Sequence, residues 1–199
     1  MDARREELRR FIEENCLIRR PGIKLASGRI SNYYLDCRMA VMDPRSLPIV
    51  AELVLERALS LPQKPGAIGG AIVGAVPVTA AVVQLSAQRG KPLAGFMVRR
   101  EVKAHGTQKK IENAPPAGTK VLIVEDVVTT GGSTIDAIGA AEEAGLEVVA
   151  VMPLVDREEG GGDAIRRRVP AARYEPLFLR SDFPALLEEA SAWSEEVAP

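Results

Sequence analysis

Short apolar runs alternate with amphipathic segments along most of the chain. Runs that are too short for helices and are bounded by turn residues predict strands, and apolar residues that recur every three or four positions predict the helices between them. The predicted strands cover 67–73, 93–98, 121–124, 146–154 and 173–179, and the predicted helices begin after Asp2 and Ser46 or cover 76–89, 135–144 and 182–196. We expect an α/β fold in which helices flank an open, mainly parallel central sheet.

One segment near the N-terminus breaks this alternation. Residues 23–38 predict two short extended pieces that are joined by a turn around Ser27-Gly28-Arg29. The plain interpretation is a hairpin that places Tyr33 and Tyr34 in a core.

The segment 121–134 carries the most specific chemistry. Glu125 and Asp126 follow an apolar strand, where their carboxylates could accept hydrogen bonds from sugar hydroxyls. The next residues offer hydroxyls, backbone N–H groups and small side chains beside a helix N-terminus, which is a favourable place for a phosphate. These residues are Thr129, Thr130, Gly131, Gly132, Ser133 and Thr134. The segment therefore predicts a phosphosugar site; the alternative is an ordinary strand-turn-helix with a Ser/Thr cap and two solvated acids.

Glycines interrupt the predicted strand at 67–73 and the turn after it. Gly69, Gly70 and Gly74 would weaken a strand unless another backbone or a ligand must come close. Two explanations fit these glycines. The loop could bind an anion through its N–H groups, or the strand could cross tightly into the next helix and require small residues there.

The segment 99–112 is polar, basic and without helical periodicity. Between Arg99 and Lys110 it contains five Lys or Arg residues and one Glu, a net charge of +4. It is either an exposed solubilising loop or a loop that binds an anion.

The loops after Val73, Val98, Val124 and Leu154 should lie along one rim, because ligands of open α/β sheets bind outside the carboxyl ends of the strands. Arg157 belongs to the last of these loops, and it either faces the rim or pairs with Glu158 or Glu159 on the surface.

Composition narrows the function classes. The chain has 199 residues, of which 46% are hydrophobic and 27% charged, as expected for one globular domain over 1–199. Its net charge of −1 gives no overall field that would recruit nucleic acid or an anionic membrane. Two cysteines and one histidine make a zinc site or a disulfide framework improbable. No apolar run is long enough to span a membrane, and the charged N-terminus does not fit a signal peptide. We therefore expect the protein to lie in the cytoplasm, which is a reducing compartment.

Three of these segments resemble a known family. The apolar run, the acid pair and Thr-Thr-Gly-Gly-Ser-Thr resemble the phosphoribosyl pyrophosphate (PRPP) signature of type I phosphoribosyltransferases. The segment Ser27-Gly28-x-x-Ser31-x-Tyr33-Tyr34-x-Asp36 resembles the hood of orotate phosphoribosyltransferases, and Lys103-x-His105-Gly106 resembles their catalytic loop. The motifs occur in family order over nearly the whole chain.

The resemblance implies a type I phosphoribosyltransferase fold, with a small hood formed mainly by about 20–40, and a defined reaction. The ribose 5-phosphate group of PRPP would be transferred to N1 of orotate, giving orotidine 5′-monophosphate and pyrophosphate in de novo pyrimidine biosynthesis. Mg²⁺ would be held mainly by PRPP and water, without direct protein ligands. The resemblance also implies a homodimer in which the loop at about 99–112 reaches the neighbouring subunit's site.

It further implies a role for each candidate residue. The catalytic residues would be Lys103, Arg99, Arg100 and His105; the pyrophosphate loop Ala71, Ile72, Val73 and Gly74; the ribose and phosphate site Glu125, Asp126 and 129–134; and the orotate site Arg157, Tyr33, Tyr34 and Lys24.

Some positions depart from the family pattern. Ala26 stands where some members have Lys, and Lys24 is a candidate substitute for that lysine. Arg100 stands where Lys is common in the family. Glu125 stands where Asp is commoner. Two alternatives stay open: a phosphoribosyltransferase for another base, such as adenine or uracil, and a PRPP-sensing regulator that binds nucleic acid.

Overall fold

The computed structural model describes residues 2–24, 30–100 and 110–186. The helices are α1 (Ala3–Asn15), α2 (Leu47–Ser60), α3 (Ala75–Gln88), α4 (Gly132–Glu143) and α5 (Gly161–Arg168), with a 3-10 turn at Arg180–Asp182. The strands are β1 (Leu17–Lys24), β2 (Ile30–Leu35), β3 (Ala67–Ala71), β4 (Ala94–Val98), β5 (Ile111–Glu112), β6 (Lys120–Val128), β7 (Glu147–Asp156), β8 (Arg173–Tyr174) and β9 (Phe178–Leu179).

The strands form a central sheet and a separate hairpin. The sheet has the order β5-β4-β3-β6-β7-β8, with β9 also paired to β7, and all of its pairings are parallel except that of β5 with β4. Strands β1 and β2 pair antiparallel, with an irregularity between Arg19 and Ile23. The predicted mainly parallel α/β fold is confirmed. The extended pieces predicted within 23–38 also form, although the first begins at Leu17 and the turn between them lies outside the described residues.

Both faces of the sheet are buried. Along β6, Leu122 and Val124 face a core shared with α2 and α3, whereas Val121 and Ile123 face a core shared with α4. Side chains of a strand alternate between faces, so an uninterrupted apolar run is the pattern that a strand covered on both sides requires.

Helix α1 follows the predicted cap and periodicity. The Asp2 carboxylate accepts a hydrogen bond from the Arg4 N–H at 3.0 Å, and Leu8 and Ile12 are fully buried. An N-cap of this kind satisfies one of the N–H groups that the first helical turn leaves without a partner. None of the helices in the described ranges combines the length and the apolar character needed to cross a bilayer.

Several element boundaries differ from the predictions. Strand β3 ends at Ala71 instead of 73, and β7 covers Glu147–Asp156 instead of 146–154. Strand β6 continues beyond the acids to Val128, because its ladder with β7 extends to the pair Val128 and Asp156. Helix α4 begins at Gly132 instead of 135, and α5 occupies a segment that was expected to be loop. The single strand expected at 173–179 is two short strands, β8 and β9, with Pro176 between them, a residue that cannot donate to a ladder. Most of the helix predicted at 182–196 lies outside the described residues.

Gly70 lies where β3 packs closely against β6. A Cβ on this residue would overlap the carbonyl oxygen of Val124 and lie 2.7 Å from the Cβ of Ala75. The glycine therefore allows β3, β6 and the start of α3 to pack together at the edge where the predicted loops meet.

We expect Gly70→Ala to lower the free energy of unfolding by about 1–3 kcal/mol, since the added methyl overpacks the core. Gly139→Ala is the matched control, because a Cβ there meets nothing within 4 Å and alanine favours the interior of α4 by about 1 kcal/mol. Urea unfolding of both variants measures the two effects. Equal stability of the two would contradict this account of Gly70.

Candidate active site

A cleft with a volume of ≈ 700 Å³ lies at the carboxyl ends of β3, β4, β6 and β7. Of the predicted site residues, those that line it are Tyr34, Ala71, Ile72, Val73, Gly74, Arg99, Arg100, Glu125, Asp126, Thr129, Thr130, Ser133 and Arg157. An adjoining pocket of ≈ 440 Å³ shares part of this lining and adds Gly131 and Gly132. The four predicted loops therefore meet on one rim, together with strand β2 of the hairpin.

Other predicted site residues lie elsewhere. Tyr33 is buried behind Arg157, in the core, and does not line the cleft. The hydroxyl of Thr134 is buried in the first turn of α4 and has no hydrogen-bond partner among the described residues. Lys103 and His105 lie outside the described residues, as does the side chain of Lys24.

The acid pair sits at the centre of the cleft. Glu125 is only 5% exposed, and its carboxyl accepts hydrogen bonds from the Ser133 hydroxyl at 3.2 Å and the Asp126 N–H at 3.3 Å. Burial, then the negative charge of Asp126 and a hydrogen bond with its side chain, raises the pKa of Glu125 to about 8. This raised pKa favours the protonated form of Glu125 near neutral pH in the ligand-free protein. The pair can both donate and accept hydrogen bonds, as recognition of hydroxyl groups requires.

The loop after β3 lies directly against these acids. A Cβ on Gly74 would overlap Asp126 Oδ1 and lie 2.9 Å from Glu125 Oε1, so only glycine fits without displacing a carboxyl group. The peptide between Ile72 and Val73 is cis, and the Ile72 N–H donates to the carbonyl oxygen of Val98 at 2.9 Å. The backbone at Gly74 therefore packs directly against the acid pair at this wall of the cleft.

The loop before α4 is fixed by its own geometry and by α5. Gly131 has a φ of 82°, in the left-handed region, and its carbonyl oxygen accepts the Ile135 N–H at 2.9 Å. The Gly161 N–H donates to the Thr129 carbonyl oxygen at 3.0 Å, and Gly161 packs without space for a Cβ. Because the first turn of a helix has N–H groups without intrahelical acceptors, the start of α4 can bind an anion.

Basic residues line two sides of the cleft. Arg99 forms an ion pair with Glu112 at 2.8 Å, and its N–H donates to the carbonyl oxygen of Lys110 at 2.8 Å, which joins the two described ends of the predicted basic loop. Arg157 is 4% exposed, and it pairs with Glu159 at 2.9 Å. The surface pairing that was left open for Arg157 thus occurs with Glu159, but the arginine is buried and faces the cleft.

Arg157 is also packed from behind. Its guanidinium carbon lies 5.1 Å from the centre of the Tyr33 ring, within the range of a cation–π contact. Its Nε is buried and makes no hydrogen bond to any described residue.

Two charged residues that line this cleft were not predicted as site residues. Asp36 and Arg38 lie on the rim and are joined by two hydrogen bonds of 2.7 Å. The Tyr-Tyr-x-Asp-x-Arg run contains both residues, but nothing in the residue pattern alone indicates that its last two charged groups reach the cleft.

Within the described residues, no group of three or more His, Cys, Asp or Glu side chains is arranged to hold a metal ion. The carboxyl oxygens of Glu125 and Asp126 are nevertheless donors of the kind that Mg²⁺ prefers.

Comparison with known proteins agrees with this architecture. A family model described as the phosphoribosyl transferase domain matches residues 40–166. The orotate phosphoribosyltransferase of Pyrococcus horikoshii is 40% identical over 182 residues, which is 92% of this chain and 94% of that protein. Two crystal structures of the Mycobacterium tuberculosis H37Rv orotate phosphoribosyltransferase also match. Its complex with Fe(III) dicitrate has a TM-score of 0.78 at 33% identity, covering 91% of this chain and 99% of that one. Its complex with PRPP has a TM-score of 0.71 at 31% identity, covering 90% and 98%.

The fold and the cleft define a phosphoribosyltransferase. The chain belongs to the phosphoribosyltransferase family and, within it, to the orotate phosphoribosyltransferases.

The protonation of Glu125 makes stability depend on pH. An ordinary glutamate ionises near 4.5, and the folded-state pKa is about 8, so between these values the folded protein holds a proton that the unfolded chain has lost. The free energy of unfolding should therefore fall as pH rises from about 4.5 to 8. Glu125→Gln has no carboxyl group to ionise at this position, so this fall in the free energy of unfolding should be absent from the variant.

We expect the stability of Glu125→Gln relative to wild type to increase by on the order of 2 kcal/mol between pH 5 and pH 8. Thermal unfolding of the ligand-free proteins across this range measures the difference. Glu147→Gln, which removes an exposed carboxyl at the start of β7, is the control. A difference between Glu125→Gln and wild type that stays constant with pH would show that Glu125 is not held protonated.

Proposed function

We propose that the cleft transfers the ribose 5-phosphate group of PRPP to N1 of orotate, releasing pyrophosphate and forming orotidine 5′-monophosphate. The observation that carries this proposal is the convergence of Tyr34, the acid pair, the 129–133 loop and Arg157 on one cleft, in a chain related to orotate phosphoribosyltransferases. The reaction belongs to pyrimidine biosynthesis.

PRPP is proposed to bind along the edge formed by β3 and β6. The 5′-phosphate would accept hydrogen bonds from the N–H groups and hydroxyls of 129–134, with Thr134 acting through its backbone because its hydroxyl is buried. The ribose hydroxyls would pair with Glu125 and Asp126. The N–H groups and small side chains of 71–74 would contact the pyrophosphate.

Catalysis in this arrangement is mainly electrostatic. As the bond from ribose C1 to the pyrophosphate oxygen breaks, positive charge grows on the ribose and negative charge on the leaving group, while N1 of orotate forms the new bond to C1. Arg99, Arg100, Lys103 and His105 are proposed to stabilise the leaving pyrophosphate. Mg²⁺, held mainly by oxygens of PRPP and by water, would neutralise further phosphate charge.

Arg157 is proposed to recognise the base. Orotate carries a carboxylate and carbonyl oxygens, and a planar guanidinium can donate two parallel hydrogen bonds to such groups. The burial of Arg157 and its contact with Tyr33 support this role, because they restrict the orientation of the guanidinium. Tyr34 lines the cleft on the hairpin side, and Lys24 is proposed to contribute from the same hairpin.

Two further properties complete the proposal. The chain acts as one unit over 1–199 and as a homodimer in which the loop at 99–112 completes the neighbouring subunit's site. The cytoplasm is the proposed compartment, and the two free, buried cysteines support a reducing environment.

The reaction is tested by supplying PRPP, Mg²⁺ and one base at a time. Orotate should be consumed with equimolar release of pyrophosphate, whereas adenine and uracil should not. Turnover of adenine or uracil in place of orotate would reassign the substrate, and folded protein without any turnover would refute the proposal.

We predict that Lys103→Ala lowers kcat by roughly 10²–10³-fold while changing PRPP binding much less, because its charge is needed when the pyrophosphate leaves. Steady-state kinetics and direct PRPP binding separate the two effects. Lys64→Ala removes a lysine between α2 and β3, away from the lining of the cleft, and serves as the control. Equal losses of turnover and of binding in Lys103→Ala would contradict the assigned role.

The shared site is tested by mixing two inactive variants, Lys103→Ala and Asp126→Ala. If the loop acts on the neighbouring subunit, subunit exchange should restore roughly a quarter of wild-type activity. Half of the randomly formed dimers are mixed, and one of the two sites in each is intact. If the mixture stays inactive although exchange is complete, the loop does not act across the dimer.

A further inference from the structure

A hydrogen-bonded pair, the half-buried Tyr174 and the buried Asp156, lies directly behind the loop that carries Arg157. Asp156 is the last residue of β7 and is 4% exposed. The hydroxyl of Tyr174, on β8, donates to Asp156 Oδ2 at 2.8 Å. Neither residue lines the cleft, and neither has a part in the proposed reaction.

Asp156 also fixes the backbone on the far side of Arg157. Its Oδ1 accepts the N–H of Glu158 at 2.8 Å, so that one aspartate side chain spans the arginine between them. Glu158 has a φ of 54°, a left-handed conformation that a residue with a side chain adopts only when neighbouring contacts hold it. The hydrogen bond from Glu158 to Asp156 is such a contact.

Arg157 itself is tied to the central strand. Its N–H donates to the carbonyl oxygen of Val128 at 2.9 Å, at the end of β6. The backbone of Arg157 is therefore held from β6 on one side and by the Asp156 turn on the other.

The tyrosine–aspartate pair is enclosed by α5. The guanidinium carbon of Arg166 lies 4.6 Å from the centre of the Tyr174 ring. A Cβ on Gly162 would overlap Asp156 Oδ2 and lie 3.0 Å from Tyr174 Cε1. Burial, together with the hydrogen bond to Asp156, raises the pKa of Tyr174, so the phenol keeps its proton and acts as the donor.

We propose that Tyr174 and Asp156 are positioning residues for Arg157, and that they fix the turn from which its guanidinium reads the acidic base. This inference rests on the proposed function, because the pair is expected to affect the use of orotate and not the use of PRPP. Without the phenol, the Asp156 carboxylate loses one of its two hydrogen bonds and can rotate away from Glu158, which loosens the turn.

The test compares kcat/KM for orotate with kcat/KM for PRPP in Tyr174→Phe. We expect the value for orotate to fall roughly tenfold and the value for PRPP to change less than twofold, since a small misplacement of a substrate-orienting group has effects of this size. Asp156→Ala should have a larger effect in the same direction. Asp156→Asn should recover part of it, because its amide oxygen can still accept from Glu158 while its NH₂ donates to the Tyr174 oxygen.

A double-mutant cycle separates positioning from general destabilisation. In the background of Arg157→Ala, adding Tyr174→Phe should cause no further loss for orotate, because the group that it positions has already been removed. Val54→Ala, a buried truncation in α2, controls for lost stability and should leave the ratio of the two kcat/KM values unchanged.

The outcomes separate the inference from the function on which it rests. If Arg157→Ala lowers kcat/KM for orotate and Tyr174→Phe lowers it selectively and non-additively, the positioning role stands. The positioning role is overturned, and the proposed function stands, if Arg157→Ala lowers kcat/KM for orotate but Tyr174→Phe behaves in one of three ways. It could leave both kcat/KM values unchanged, or lower both equally. It could also lower kcat/KM for orotate as much in the Arg157→Ala background as in wild type. If Arg157→Ala leaves the use of orotate unchanged, the base-reading role of Arg157 and the positioning role are overturned while the reaction stands. If wild type does not use orotate, the proposed function is overturned, and the positioning role falls with it.

Discussion

The structure depends on placing two adjacent carboxyl groups at the end of a strand that is buried on both faces. Removing a carboxylate from water is strongly unfavourable unless it is paired, hydrogen-bonded or neutralised. Glu125 keeps a proton, and Ser133 donates to it from the first turn of α4. That hydrogen bond joins the acid pair to the helix whose N-terminus offers an anion site. The electrostatic problem created by β6 is therefore relieved by the same residues that form the proposed phosphate pocket.

The sheet order then brings the other walls of the cleft to this point. Strand β3 lies beside β6, and the turn at its carboxyl end approaches the acids so closely that residue 74 has no room for a Cβ. On the other side, β7 runs parallel to β6 as far as Asp156 and delivers Arg157 to the rim. Neighbouring parallel strands end at the same edge of the sheet. Loops that are distant in sequence therefore lie next to each other. The close packing of Gly74 against the carboxyl groups fixes the position of the turn relative to the acid pair.

The sequence predicted the helices and strands whose residues are buried in a regular pattern. It did not predict features that depend on backbone pairing and backbone packing. The apolar run 121–124 predicted β6, but its ladder with β7 continues through the two acids, which no hydrophobic pattern reports. Helix α5 begins at the second of three consecutive glycines, a composition typical of a loop, and Gly161 packs on the Thr129 segment without space for a Cβ. The motif predicted both tyrosines as site residues, yet successive residues of a strand face opposite sides: Tyr34 lines the cleft and Tyr33 supports Arg157 from behind. Tyr174 contacts Asp156, a partner that only the tertiary structure brings near it.

The most direct measurement of the central claim is a crystal structure of the protein with PRPP and Mg²⁺. The account predicts ribose hydroxyl oxygens within hydrogen-bond distance of Glu125 and Asp126, with the 5′-phosphate on the backbone N–H groups of 129–134 and the pyrophosphate against 71–74. A phosphate group bound against the acid pair, or PRPP bound outside this cleft, would contradict it.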